Sequence, residues 1–287
     1  RSALLREHYF TGIHKSGLPI YVFPKKLTSV YALFATRYGS VDTVLPLPDG
    51  REVTLPEGTA HFLEHKLFEN EDGSDAFAQF SQYGADANAY TTYNRTAYLF
   101  SATDHVGEAL RELLTFVTHP YFTEKTVKKE QGIIGQEIRM YLDEPGWQVL
   151  FNLLKSLYHK HPVKVDIAGT EESISHISAD LLYECYESFY NLNNMVLACA
   201  GNVTVDDVLA ICDRVKVPAN QVAIIDANSS KTLSNGTELR EGDYNKYQSF
   251  ERLLNHTFVR LAEEMGMDLT YTIYNKPQRI NGNQAAE

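Results

Sequence analysis

The chain has 287 residues, 44% hydrophobic and 22% charged, with a formal net charge of −11. That length suits one large domain or two smaller ones, and the composition is that of a globular protein able to bury a sizeable core. The acidity excludes nucleic acid as a general partner and suits basic peptides, while the lack of any apolar run of about 18 residues excludes a spanning helix and gives no membrane partner.

Residues 18–24 (LPIYVFP) and 29–39 (SVYALFATRYG) are rich in β-branched and aromatic residues and predict two strands, with 25–28 turning between them. Residues 41–56, with Pro46, Pro48 and Pro56, read as a loop. Glu57 and Gly58 lead into a helix over 59–69, which breaks at 70–74. Asp75 is the expected N-cap of a second helix over 76–83, and Gly84 ends it. Residues 86–92 and 95–102 predict a hairpin bending at Tyr93 and Asn94. The helix expected over 105–118 carries Val106, Leu110, Leu113, Leu114 and Val117 on one face. Thr123 caps the next, which runs to about 142, and Pro145 opens another, to about 158. His159 and His161 read as exposed loop residues. Residues 179–189 are helical, 195–200 (MVLACA) form a buried strand, and 205–215 an amphipathic helix. The order predicts an α+β domain, a mainly antiparallel sheet covered by helices.

After Pro218 the character changes. Residues 219–242 are polar and turn-rich, 244–265 carry apolar residues at helical spacing, 268–274 alternate as a short strand, and the last dozen read as frayed. The expected domains are therefore 1–218 and 219–287, the second an unassigned, partly disordered tail with one amphipathic helix. The N-terminus shows no signal-peptide pattern. Cys185, Cys199 and Cys212 are widely spaced and form no C-x-x-C. They read as core residues of a cytoplasmic protein.

The stretch Thr59-Ala60-His61-Phe62-Leu63-Glu64-His65 contains H-x-x-E-H. At about 100° per residue, His61 and His65 lie about 40° apart around a helix axis and Glu64 about 60° to the other side of His61. Two imidazoles one turn apart can grip a zinc ion, and the adjacent carboxylate can take a proton from water at that metal. The order is the inverse of H-E-x-x-H. Further along, Glu130 and Glu137 share the face of a helix that also carries Ile133, Ile134 and Met140. Burying an unpaired carboxylate is costly, so either that face is half exposed or a cation lies beside it. There is no G-x-x-x-x-G-K-[ST] and no G-x-S-x-G.

Taken together, G-T-A-H-F-L-E-H-K-L-F-E, then N-A-Y-T in a strand, then E-x6-E on a later helix resemble the pitrilysin/insulysin family of zinc metallopeptidases. The similarity runs from about residue 8 to residue 215 and is strongest to the bacterial processing-peptidase-like branch. The resemblance implies one zinc ion per chain, held by His61, His65 and Glu137, with Glu64 as general base and Glu130 in a supporting position. It also implies that Asn88 and Ala89 lie on a strand edge where substrate peptide adds as an extra strand, a mode in which backbone bonds give affinity.

Members of this family pair two homologous αβ domains into a clamshell, and one such domain is visible here. Residues 219–287 do not resemble a second copy. The implied function is a zinc endopeptidase or peptide-processing subunit, completed by a homologous partner or a second half. A non-catalytic or incomplete subunit that mainly binds peptides is the alternative. A purely structural zinc site would be closed by four protein ligands, usually with cysteine, and only three ligands are found.

Overall fold

β-Branched and aromatic residues build a six-stranded sheet whose strands, in chain order, are β1 (Phe10–Ile13), β2 (Pro19–Pro24), β3 (Val30–Thr36), β6 (Asp86–Thr91), β7 (Thr96–Ala102) and β8 (Met195–Gly201). The computed structural model describes residues 8–46, 52–215, 270–273 and 276–279. The spatial order is β1-β2-β8-β3-β7-β6, every pair antiparallel except β2 with β8. The fold is thus the expected mostly antiparallel sheet with helices. Two details differ from expectation. The strands β2 and β3 are not a hairpin, because β8 inserts between them and pairs with both. The strand β1 was not anticipated, since all four of its residues are exposed and no buried alternation marks it.

Within the stretch read as a loop, β4 (Val44–Pro46) and β5 (Glu52–Thr54) pair antiparallel, Val44 opposite Thr54. The helices are α1 (Thr59–Leu67), α2 (Ala76–Gln82), α3 (Val106–Thr118), α4 (Glu124–Leu142), α5 (Pro145–Leu157), α6 (Glu171–Ser175), α7 (Ala179–Phe189) and α8 (Val205–Arg214). Only α6, a five-residue turn of helix, has no counterpart in the sequence reading.

One face of the sheet is dry. Ala32 and Phe34 on β3 lie opposite Phe100 and Tyr98 on β7, all fully buried under the helices. The register carries that face onto β6 as Ala87, Ala89 and Thr91. On the other face Tyr31 is exposed and Leu33 half-buried, the one-sided coverage common in antiparallel sheets. Helix α1 sinks Phe62, Leu63 and Leu67 into the core and packs against α4, α7, β6 and β7.

The entry to α1 depends on Gly58. Its φ is +91°, and a Cβ there would sit 2.4 Å from the Ala168 carbonyl oxygen. Gly58→Ala should therefore lose about 1–3 kcal/mol of stability from the backbone conformation, before any clash is relieved. A urea titration beside wild type would measure it; an unchanged midpoint would mean that this turn tolerates a side chain.

The chain divides into two compact units, Arg1–Ala223 and Ile224–Glu287. In the second, β9 (Thr270–Ile273) pairs antiparallel with β10 (Lys276–Arg279). The first lies in the expected short strand; the second corrects part of the stretch read as frayed. The helix expected over 244–265 lies outside the described residues.

Candidate metal centre

The i, i+3, i+4 spacing does what helical geometry requires. His61, Glu64 and His65 project from one side of α1, and the imidazole centroids of His61 and His65 are 4.6 Å apart. The opposing wall is α4, which starts at a capping box in which the Thr123 side chain accepts the Thr126 N–H. Glu130 and Glu137, seven residues apart, fall on nearly the same face of α4 (about 20° off at 100° per residue). That face is turned to α1, so the two carboxylates meet the two histidines.

One ligand atom from each of His61, His65 and Glu137 lies within 4.8 Å of the others, and no other group of His, Cys, Asp or Glu among the described residues does the same. Glu137 Oε2 is 3.8 Å from His61 Nε2 and 3.6 Å from His65 Nε2. Those separations are long for hydrogen bonds. They approach the edge of a tetrahedron, about 3.4 Å, spanned by ligands at about 2.0–2.1 Å from a zinc ion. The donor set fits zinc on its chemistry: two imidazoles and a carboxylate, three protein ligands with a fourth position open.

The partners of each ligand support that fit. His65 Nδ1 lies 3.0 Å from Glu130 Oε1, so with its proton on Nδ1 it presents the Nε2 lone pair to the centre. Glu130 is buried, 8% exposed, and this is the charge partner that the sequence left open. Burial pulls the His65 imidazole down, but the hydrogen bond to Glu130 and the charges of Glu64, Glu130 and Glu137 outweigh it, and the net shift is upward. His61 is pulled down to about 3 by burial and then by the charge of His65, so it is neutral and free to ligate. Its Nδ1 is buried without a hydrogen-bond partner among the described residues. Removing Glu130 with Glu130→Ala should weaken zinc binding about 10- to 100-fold, the usual effect of losing a ligand's supporting partner. Competition with a chromophoric chelator would measure this, and an unchanged affinity would deny Glu130 any part in the centre.

Glu64 is 7% exposed. Burial raises its carboxyl above the usual range; the Thr91 hydrogen bond and the charge of His65 pull it back, and the charge of Glu137 adds to the rise. The hydroxyl of Thr91 donates to Glu64 Oε2 at 2.5 Å. Sequence reasoning quoted Thr91 within N-A-Y-T but gave it no role. A signal was present: at strand period it shares a face with Ala87 and Ala89, small residues that leave room for a helix.

Asn88 and Ala89 lie on β6, which with β1 is one of the two outer strands of the sheet. Asn88 is exposed on the face away from the helices, and its Oδ1 accepts the Ala89 N–H at 2.8 Å. The hairpin closes with Thr92 N–H on Arg95 C=O. Antiparallel alternation from that bond turns the main-chain groups of Ala87, Ala89 and Thr91 to the free edge. His159 and His161 lie apart from this centre, on the surface. His161 caps the 3-10 turn Pro162–Lys164 by accepting the Val163 N–H.

Known proteins resemble this chain in sequence and in fold. Residues 52–171 match the family described as insulinase (peptidase family M16), and residues 176–217 match the peptidase M16 inactive domain. The chain is 53% identical over 208 residues to the uncharacterized zinc protease YmfH of Bacillus subtilis, covering 72% of this chain and 48% of that protein. It is 32% identical over 151 residues to the zinc protease YmxG of the same organism, covering 51% of this chain and 37% of the relative. A solved M16-like peptidase from Alicyclobacillus acidocaldarius superposes with a TM-score of 0.70 at 42% identity, covering 74% of this chain and 50% of that one. The chain thus spans half or less of the length of each of these relatives. Across residues 52–217, the chain belongs to the insulinase, or M16, peptidase family.

Proposed function

We propose that this chain is the catalytic half of a zinc endopeptidase or peptide-processing enzyme. The observation that carries the proposal is the convergence of His61, His65 and Glu137 within 4.8 Å, on the helix pair that also holds the Glu64 carboxylate. His61 and His65 through Nε2 and Glu137 through Oε2 would hold the metal. Bound there, zinc would supply Lewis acidity, lowering the pKa of water from 15.7 to about 7 and polarising a carbonyl.

Every other step falls to the chain's own groups. The edge of β6 seats the peptide as an added strand, and the incoming carbonyl takes over the Ala89 N–H that Asn88 Oδ1 holds in this structure. Asn88, released, is free to donate its amide hydrogens to the same peptide. Glu64 accepts a proton as water attacks the scissile carbonyl and returns it to the leaving amine. Glu130 holds His65 in the tautomer that exposes Nε2. Residues 1–218 form this domain, and 219–287 have no role assigned. The buried, unpaired Cys185, Cys199 and Cys212 support a cytoplasmic setting. Among the described residues, no helix is long and apolar enough to cross a membrane.

A second reading has its own support: that this chain is incomplete and turns over only with another half. It spans half or less of its relatives. Ile133 and Met140 on α4, four residues before and three after Glu137, are large apolar side chains left 45% and 57% exposed. Zinc content and hydrolysis of an unstructured basic peptide library by the zinc-loaded chain test both readings. One zinc per chain with cleavage supports the first. One zinc without cleavage leaves the second, and no stoichiometric zinc removes both.

A further inference from the structure

Thr91 lies at the junction of three features that the catalytic reading treats separately. Its hydroxyl contacts Glu64 Oε2 at 2.5 Å. The same hydroxyl is 3.2 Å from Thr96 Oγ1, its cross-strand partner on β7. Its main chain, like that of Ala89, faces the free edge of β6.

The hydrogens can be assigned. A hydroxyl has one to give, and a carboxylate only accepts. At 2.5 Å the hydrogen between Thr91 and the Glu64 carboxylate therefore comes from Thr91; Thr96 gives its own to the Tyr38 carbonyl at 2.9 Å, which leaves the 3.2 Å contact between the two hydroxyls without a hydrogen. Thr96 is fully buried, and the strand pairing of β6 with β7 fixes the backbone of Thr91 against it. The donor therefore has a fixed position, set by the sheet rather than by the helix that carries Glu64. Among the described residues, this carboxylate has no other hydrogen-bond partner.

We infer that Thr91 is a positioning residue for Glu64: it ties up Oε2 and so presents Oε1 to the reacting water, and it does so from the strand that receives the peptide. The inference rests on the reading of Glu64 as general base. It extends that reading by naming the group that orients the base and by making base orientation depend on the strand to which substrate adds. A buried carboxylate with one oxygen held and the other free has one proton-accepting direction. Without the hydroxyl it keeps its place in the sequence but can rotate about its last torsion, which is broad for a carboxylate.

The test compares Thr91→Val, which keeps the shape and removes the hydroxyl, with Thr91→Ser, which keeps the hydroxyl. Wild type, both variants and Glu64→Gln are loaded with zinc, and the metal is counted. Expected for Thr91→Val is one zinc per chain, an unchanged KM and a kcat lower by about tenfold to a hundredfold, with Thr91→Ser close to wild type. A second readout needs no turnover. In the metal-free chain, Thr91→Val should lower the urea midpoint in wild type and much less on a Glu64→Ala background, because only wild type has a buried carboxylate left without its donor.

Equal midpoint losses on the two backgrounds, or a wild-type kcat in Thr91→Val, would overturn the inference while leaving Glu64 as base. A KM rise with kcat unchanged would overturn it too, by making Thr91 a substrate contact. A wild-type chain that holds zinc but cleaves nothing would count first against turnover by this chain. In that case Thr91 would be a structural residue, and the inference would fail with it.

Discussion

Glu64→Gln should lower peptide hydrolysis by the zinc-loaded chain by about 10²–10⁴ in kcat, the typical contribution of a positioned acid–base group, with one zinc per chain still bound. The two halves of this expectation have separate causes. Glu64 does not belong to the trio His61, His65 and Glu137 whose atoms converge, so the amide leaves the ligand set intact. The amide also keeps an oxygen that can accept the Thr91 hydroxyl hydrogen, which Glu64 Oε2 now accepts at 2.5 Å. What it cannot do is take a proton from water. Burying a neutral amide costs less than burying a carboxylate, so the variant should be at least as stable as wild type. Loss of activity together with loss of zinc would mean that Glu64 acts on the metal, directly or through the fold, and the base assignment would fail. Activity retained with zinc bound would move the proton transfer to another group.

The features that local pattern encodes are the ones the sequence made legible. The helices α1, α3, α4, α5, α7 and α8 each show an apolar stripe or a capping residue, and helical period alone puts His61, Glu64 and His65 on one side of α1. The hairpin β6–β7 follows from two alternating runs around Tyr93-Asn94. The insertion of β8 between β2 and β3 could not be read this way. It joins residues 20–24 to 197–201, and nothing in either segment names its partner. The strand β1 has no buried face, so it has no alternation to detect.

The same limit separates the two walls of the centre. That α1 carries a pair of imidazoles is local information. That Glu130 and Glu137 face them depends on how α4 docks, and composition left two explanations for carboxylates on an apolar face. The described contacts supply a specific partner: Glu130 is paired with His65. For Thr91 the strand period gave the face but not the partner. A threonine in a strand is ordinary, and its hydroxyl acquires a purpose only when a helix from 27 residues away brings a buried carboxylate to 2.5 Å.

His61→Ala should abolish stoichiometric zinc binding and, with it, hydrolysis. Of the two histidines, His61 is the sharper probe. Its imidazole is buried and pulled down to about 3, so at neutral pH it presents a lone pair with no proton to displace. Loss of His65, whose Nδ1 pairs with Glu130, would also strip that buried carboxylate of its partner. His61 Nδ1 has no hydrogen-bond partner among the described residues, so removing the ring breaks no visible network beyond the metal centre.

Thermal unfolding separates lost binding from lost folding. Zinc at about a hundred times its Kd should stabilise the native chain by about 2.7 kcal/mol, a rise in Tm of about 5–10 °C for a domain of this size. Wild type and Glu64→Gln should both show it. His61→Ala should unfold cooperatively without zinc and show no rise when zinc is added, because a His–Glu pair is a poor site compared with two imidazoles and a carboxylate. If His61→Ala binds one zinc with the same rise in Tm, the metal lies elsewhere in the chain, and the roles given to Glu64, Glu130 and Thr91 lose their common centre. If it fails to fold without zinc, the more conservative His61→Gln carries the test, since its amide fills much of the same space and is a far weaker ligand.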